Sequence, residues 1–531
     1  MATLNNDSEK KTNYSSCVKD NLKYFNWNSN DILYFLIYLT ILLIIALNLP
    51  KNEGIYRSDH TAIISFGVIG IWRYSWWLNH VIRSVIYGRI VFPRRRLLAN
   101  QLWDSGWRPS RLFFMMTTFQ ELQTTTNIVL KSIMEECNQI HVPIKLFIGT
   151  GTESDEMIIE NFFKKQKSLT SFEVIMIRQK QPGKRYAIGE TLRAIHRHGL
   201  TAEDLVVFMD GDTYFQSGCL RLCLPFFQLL PRMQALTTHE RAIVKRGPTW
   251  VKKWLDMRFA QRDFTMQSYA ISNKILTLTG RMSIFRGKHV CESEFINIIE
   301  NDRLQHWLWG DYRFLSGDDK STWYYLLKKR ANMTYIPDAT TITIEYIDGS
   351  AITRMKENLR RWSGNTLRNG ARAIALGPRT VGYFIWWCLI DQRCSIWTMI
   401  IGHITILTLA VSKSYTFLFI SLLWIAFSRL CLACMLFLHT RRIDMSFPFL
   451  IYINQLMSTI TKIYILFRLP QQRWKNRGDQ RSGFETQLKW RFKGWVATYL
   501  TLFYCMCCLL FILIYLNLIS LPTMGDIKTF N

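Results

Sequence analysis

Apolar runs of membrane length stand on both sides of a polar segment of about 250 residues. Ile32–Leu49 is about 18 residues, roughly 27 Å as a helix. After a short polar loop, Thr61–Tyr87 is a second, less pure run. It carries Arg73 and Arg83, and Trp72, Trp76 and Trp77 mark an interfacial end. Pro93-Arg94-Arg95-Arg96 closes it, and further apolar stretches follow at about 383–411, 414–438, 448–467 and 495–520. This layout predicts a multi-pass membrane protein with one water-facing domain inserted between its helices. By the positive-inside rule Arg94–Arg96 are cytoplasmic, so both ends of the hairpin and the next domain face the cytoplasm. Segment 468–494, with eight Lys or Arg, is expected on that side too. Arg441 and Arg442 have the same preference. If both lie inside, 448–467 rests at the interface or re-enters instead of crossing once. The run after residue 31 has no small-residue cleavage site and reads as a retained helix.

Residues 97 to about 350 alternate short apolar runs with polar helical stretches. Candidate strands are Leu112–Thr118, Lys145–Thr150, Phe172–Ile177, Leu205–Met209, Gln234–Thr238 and Met333–Ile336. Such alternation predicts an α/β domain with a mainly parallel sheet, whose ligands collect at the carboxyl ends of strands. Residues 352–373 set Met355, Leu359, Trp362 and Leu367 against Arg354, Lys356, Arg360, Arg361 and Arg368, the pattern of a helix lying on a membrane. The expected organisation is a cytoplasmic segment 1–31, a transmembrane hairpin 32–92, a cytoplasmic α/β domain 93–350, an amphipathic interface helix 351–380 and a transmembrane region 381–531.

Lys and Arg outnumber Asp and Glu by 66 to 39, a formal charge of +27. The cations are scattered beside apolar spans and not gathered in an arm, which favours a membrane surface and anionic ligands over nucleic acid. The twelve cysteines show no disulfide framework, and Cys431-x-x-Cys434 lies inside an apolar run, where it reads as helix packing rather than a zinc half-site.

Chemistry concentrates at a few places. Asp210-Gly211-Asp212 ends a buried strand, so two carboxylates share one face, where a hard divalent cation could bridge them to phosphates. The alternative is a solvated Asp-Gly turn. Lys184-Arg185 follow Pro182-Gly183 after a strand and suit a diphosphate, or form a plain basic loop. Glu153 and Asp155 stand where a nucleobase edge would lie. Gly317-Asp318-Asp319-Lys320 precedes a helix over 321–329. It offers a general base for a sugar hydroxyl, or an acidic cap, and Asp318 or Asp319 could do both. Arg361-Trp362 joins a guanidinium for phosphate to a flat ring for stacking, or anchors the interface helix. Gly280-Arg281 opens a candidate acceptor-binding turn, in which Arg281 would pair with a sugar carboxylate or, alternatively, with Glu240.

Taken together these residues resemble the processive family 2 glycosyltransferases: the cellulose, chitin, hyaluronan and alginate synthases. Asp210-x-Asp212, Asp318-Asp319 and Arg361-Trp362 match the family pattern, while Asn358 stands where it has Gln. Longer phrases resemble the catalytic subunits of alginate (mannuronan) synthases: Met209–Thr213, Ala235–Thr238, Arg258-Phe-Ala-Gln-Arg262, Leu276–Ser283, Phe314–Trp323, Tyr335–Asp338, Arg361–Asn365 and Trp386–Arg393. The resemblance covers about residues 100 to 475. It implies a GT-A-type domain, inverting transfer from GDP-mannuronate to β-1,4-linked polymannuronate, export across an inner membrane, and a separate cyclic di-GMP-sensing subunit. It further implies Mg²⁺ or Mn²⁺ on Asp212 with Asp210, Asp319 as base supported by Asp318, and Lys184, Arg361 and Trp362 on the donor diphosphate. The competing readings are a hyaluronan- or chitin-type synthase using a UDP-sugar, and a non-catalytic export scaffold.

Overall fold

The computed structural model describes residues 29–49, 60–165, 172–440, 444–474, 480–481 and 488–519. Arg441 and Arg442 lie outside the described residues. Two helices come first, α1 (Ser29–Leu47) and α2 (His60–Ile86). A five-residue π turn, Tyr87–Val91, then carries the chain without a break into α3 (Phe92–Asp104). Pro93 does not end the helix, because the π turn just before it loosens the hydrogen-bond ladder where its missing N–H would have bonded. Arg96 donates to both oxygens of Asp338, at 2.7 and 2.5 Å, and Arg95 reaches Asn273. The arginine run is therefore fastened to the α/β domain and lies on its side of any membrane. Arg94→Cys and Arg473→Cys are expected to resist a membrane-impermeant thiol reagent in intact cells, above the parent's background. Outside labelling at both sites would reverse this topology.

The domain runs β1 (Leu112–Thr118), α4 (Gln123–Ile140), β2 (Ile144–Thr150), α5 (Glu153–Lys164), β3 (Phe172–Arg178), α6 (Lys184–Arg197), β4 (Leu205–Asp210), β5 (Thr213–Phe215) and β6 (Met233–Arg246). Then come α7 (Thr249–Ala270), β7 (Met282–Arg286), α8 (Ser293–Asn301), α9 (Asp318–Lys328) and β8 (Asn332–Tyr346). One eight-stranded sheet has the order β3-β2-β1-β4-β7-β6-β8-β5. Its first four strands are parallel, β7 is antiparallel to β4 and β6, β8 is parallel to β6, and β5 is antiparallel to β8. All seven residues of β1 and the first five of β4 are buried, the continuous apolar pattern expected of strands covered on both faces.

Two strands of this sheet escaped the sequence reading. Met282–Arg286 follows Gly280-Arg281 and looks like the end of a turn, yet it inserts between β4 and β6. Thr213–Phe215 is too short to show alternation. Strand β8 is also longer than Met333–Ile336, because a register shift between Ile336 and Thr340 accommodates Pro337 and lets pairing resume.

Helix α10 (Ala351–Ala375) is the expected amphipathic helix. After it come α11 (Tyr383–Ser412), α12 (Thr416–Thr440), α13 (Phe447–Leu466) and α14 (Leu488–Tyr515). Among the described residues, four spans are long and apolar enough to cross a membrane: Tyr383–Ser412, Thr416–Phe437, Phe447–Leu466 and Trp490–Tyr515. This is a membrane protein. Helix α1 supplies a shorter apolar stretch, Leu33–Leu47. Arg73 of α2 meets Asp391 of α11 at 2.5 Å, and His80 of α2 meets Ser268 of α7 at 2.9 Å, so α2 clamps the membrane helices to the α/β domain.

Candidate active site

The site forms where β1 and β4 end. Gly211 donates its N–H to Thr117 O at 3.0 Å, and a Cβ on it would stand 2.9 Å from that same oxygen. Only glycine lets the Asp210–Asp212 turn press against β1. Asp210 is held on the other side by its N–H to Arg281 O, and Asp212 accepts from Thr213 Oγ1 at 3.1 Å.

Lys184, the first residue of α6, reaches into this corner. Its ammonium lies 2.7 Å from Asp210 and 3.0 Å from Asp318, with its side chain only 7% exposed. Carboxylates from two distant motifs thus converge on one buried cation. Gly280 closes the corner, since a Cβ there would stand 3.1 Å from the Lys184 ammonium and 3.4 Å from Asp210. A cavity of about 20 Å³ remains between Thr117, Lys184, Asp210, Gly280, Asp318 and Asp319. Arg185 turns away. It donates to Ile299 O, Ser316 O and Ser321 Oγ, bracing the loop that presents Asp318.

Asp318 and Asp319 open α9 behind Gly317, whose φ of +88° is the left-handed cap conformation. The capping residue is therefore Gly317, which leaves both carboxylates for other work. Their environments split them. Burial opposes ionisation of Asp318, but Lys184 and Arg185 outweigh it and hold its carboxyl below the usual range. Asp319 is raised to about 6 by burial and then by the neighbouring Asp318 charge. Burial also lowers Lys320, to about 8, and its ammonium donates to Leu276 O.

A carboxyl near 6 is deprotonated at neutral pH yet still basic enough to accept a proton. Turnover that uses Asp319 as its base should accordingly fall about tenfold per pH unit below about 6 and level off above it. A pH–rate profile at saturating substrate checks this, and an acid limb lying near 4 would contradict it.

Helix α10 brings its residues to the same place. A Cβ on Gly317 would strike Asn365 of α10 at 2.8 Å. Asp319 and Arg281 are within electrostatic reach of Arg361, whose guanidinium burial and then Arg354 disfavour. Asn358, the departure from the family's Gln, accepts from Arg361 at 3.4 Å. Trp362 stacks on Trp254 of α7, with ring centroids 6.1 Å apart and 23° between planes. Sequence reasoning missed a basic cavity of about 110 Å³ between α10 and the chain at 471–473, lined by Arg354, Arg360, Arg361, Arg368 and Arg473. Its only early signal was the arginine density of α10.

Asp155 is buried, and its carboxylate accepts from Gln120 N, Thr152 N and Thr152 Oγ1, capping α5. Glu153, on the same first turn, is exposed. Arg281 donates to Glu240 at 3.0 Å and lies 3.8 Å from Glu345, while Arg262 stands 3.4 Å from the other Glu240 oxygen. Glu240 is fully buried, and burial alone would raise its carboxyl; Arg262 and Arg281 reverse this. Breaking such a set by removing one member costs about 3–5 kcal/mol. Arg281→Ala should thus lower the detergent-extracted yield and the Tm, which thermal unfolding of the purified protein would check. An unchanged Tm would free Arg281 from this structural duty.

A mixed sheet with acids gathered at its strand ends, joined to an amphipathic helix and membrane spans, defines a membrane-bound glycosyltransferase of the GT-A type. A family model described as "Glycosyltransferase like family 2" matches residues 109–365. Over 470 residues the chain is 36% identical to "Glycosyltransferase alg8" of Pseudomonas syringae pv. tomato (strain ATCC BAA-871 / DC3000), covering 88% of this chain and 93% of that one. It is 33% identical over 468 residues to "Glycosyltransferase alg8" of Azotobacter vinelandii, covering 88% and 94%. The chain belongs to this Alg8 family of family 2 glycosyltransferases, the catalytic subunits of alginate synthases. A solved mannosyltransferase from Pyrobaculum calidifontis, in complex with GDP-Man and Mn²⁺, aligns with 73% of this chain and 98% of its own at 13% identity. Its TM-score is 0.40, a likeness too loose to bear on the reaction.

Proposed function

We propose that this glycosyltransferase polymerises mannuronate from GDP-mannuronate into β-1,4-linked polymannuronate, with inversion at the anomeric carbon, and passes the chain across an inner membrane. The observation that carries this reading is Asp319, a carboxyl raised to about 6 beside a buried Lys184–Asp210–Asp318 cluster. Asp319 takes the proton of the acceptor hydroxyl as its oxygen attacks the sugar. Asp318, kept ionised by Lys184, maintains the basicity of Asp319 by its charge. Lys184, Arg361 and Trp362 face the donor diphosphate, with Glu153 the solvent-facing acid for the nucleobase. Gly280 and Arg281 border the acceptor side, Arg281 through a guanidinium shared with Glu240.

Asp212 and Asp210 would hold Mg²⁺ or Mn²⁺. Among the described residues no group of three or more His, Cys, Asp or Glu is placed to hold a metal ion. A set of only two carboxylates suits an ion whose remaining ligands are diphosphate oxygens. When bound, the ion neutralises charge on the leaving GDP. The α/β domain faces the cytoplasm, where the nucleotide donor is made, and a separate subunit that senses cyclic di-GMP governs the complex.

Membranes from expressing cells, given labelled GDP-mannuronate or labelled UDP-sugars, test the donor. Incorporation into polymer from GDP-mannuronate alone is expected. Incorporation from a UDP-sugar would favour the hyaluronan- or chitin-type reading, and none from either would favour a scaffold.

A further inference from the structure

A second cavity in the α/β domain lies at the far end of the sheet from the catalytic acids. Strands β4 and β6 are both antiparallel to β7, so they run the same way. The acids stand where β4 ends; this cavity opens where β6 and β8 begin, at Met233 and Asn332. Its volume is about 390 Å³, room for a small molecule and not merely an ion. The lining is partly apolar, with Leu229, Leu230 and Met333, and partly polar, with Arg95 of α3, Arg232, Asn273 and Asn332.

No Asp or Glu is among the described residues that line it. Asp338, the carboxylate that anchors the same arginine run, is taken by Arg96 at 2.7 and 2.5 Å. Arg95 donates to one neutral acceptor, Asn273 Oδ1 at 3.3 Å, and its Nη1 is buried with no hydrogen-bond partner. Asn273 is fixed for this contact. Its backbone is left-handed, at φ +50°, and its carbonyl accepts from Met333 N at 2.9 Å. Lys274, the next residue, donates to Ala331 O and so ties the turn after α7 to the start of β8. A buried guanidinium nitrogen without an acceptor is costly. Beside a cavity lined by a second arginine and no acid, its natural partner is an anion.

We propose that this cavity is a non-catalytic binding site for a phosphate monoester with a compact apolar body. Guanidinium forks suit phosphoryl oxygens, and a monoester's charge of about −1.5 to −2 matches two arginines better than a single carboxylate does. The amides of Asn273 and Asn332 supply further donors, and Leu229, Leu230 and Met333 receive the apolar body. The occupant joins α3, which continues membrane helix α2, to the starts of β6 and β8, and so fastens the domain to its membrane hairpin. None of this depends on which sugar is polymerised. A soluble phosphate ester and the headgroup of phosphatidic acid share this chemistry, and the test separates the two.

The full chain is placed in nanodiscs of phosphatidylcholine, with or without phosphatidic acid, in excess chelator to suppress metal-dependent binding at the donor site. Thermal unfolding is followed as phenyl phosphate is titrated, for the parent, Arg95→Met, Arg232→Gln and Arg94→Gln. A ligand that binds only the folded chain raises Tm as its concentration rises. Phenyl phosphate, phosphatidic acid or both should raise the parent's Tm. Arg94→Gln, at an exposed neighbour outside the cavity, should keep the shift, whereas Arg95→Met and Arg232→Gln should need at least about tenfold more of the probe. Arg232 is exposed, so its variant should fold even if Arg95→Met does not. A shift with phenyl phosphate in phosphatidylcholine alone identifies a soluble ester, and a shift with phosphatidic acid alone identifies the headgroup. No shift with either probe would overturn the proposal, and so would a shift that Arg232→Gln retains in full.

Discussion

Asp319→Asn is expected to lower polymer synthesis by about 10²-fold or more, equivalent to about 2.7 kcal/mol of transition-state stabilisation. The substitution keeps the size of the side chain and its acceptor oxygen for Lys320 N, so the start of α9 should stand. What is lost is the basicity that burial and Asp318 confer. GDP binding should survive, because the residues facing the nucleotide are elsewhere, and the acid limb of the pH–rate profile should vanish. Near-normal synthesis would transfer the role to Asp318. Asp318→Asn should itself act differently: it removes one partner of Lys184 and one charge beside Asp319, so Asp319 should become more acidic and the acid limb should move downward.

Asp212→Ala and removal of divalent metal carry the other large effect. Charge develops on the leaving diphosphate as the glycosidic bond breaks, and electrostatic stabilisation of such charge is worth about 10²–10³ in rate from a single donor group. Excess chelator should stop synthesis, and added Mg²⁺ or Mn²⁺ should restore it. Asp212→Ala should weaken metal-dependent donor binding while Asp210 stays paired with Lys184. Synthesis that persists in excess chelator would remove the metal from the account.

The sequence revealed the elements with the strongest patterns and missed those defined by partners. Leu112–Thr118 is a strand with the bounds its apolar run predicts, and α10 follows its amphipathic stripe. Met282–Arg286 was hidden because its pairing with β4 and β6 is set by distant residues. The same divide runs through the site. Asp210, Asp318 and Asp319 stood out as motifs, and the fold brings them together. That Lys184 binds two of them depends on contacts across tens of residues, whereas the Thr152–Asp155 cap is local and Glu240 was one of the two partners the sequence offered Arg281. Lys184 and Asp155 look alike as isolated charges in loops, and only burial distinguishes their work.

The most direct test of the central claim is the structure of the product. The purified synthase is given α-configured GDP-mannuronate with divalent metal, and the polymer is examined by NMR for anomeric configuration, linkage and length. The account predicts long chains of β-1,4-linked mannuronate, the inverted configuration expected when Asp319 assists direct attack by the acceptor hydroxyl. An α-linked product, or the transfer of a single sugar without polymer, would contradict it.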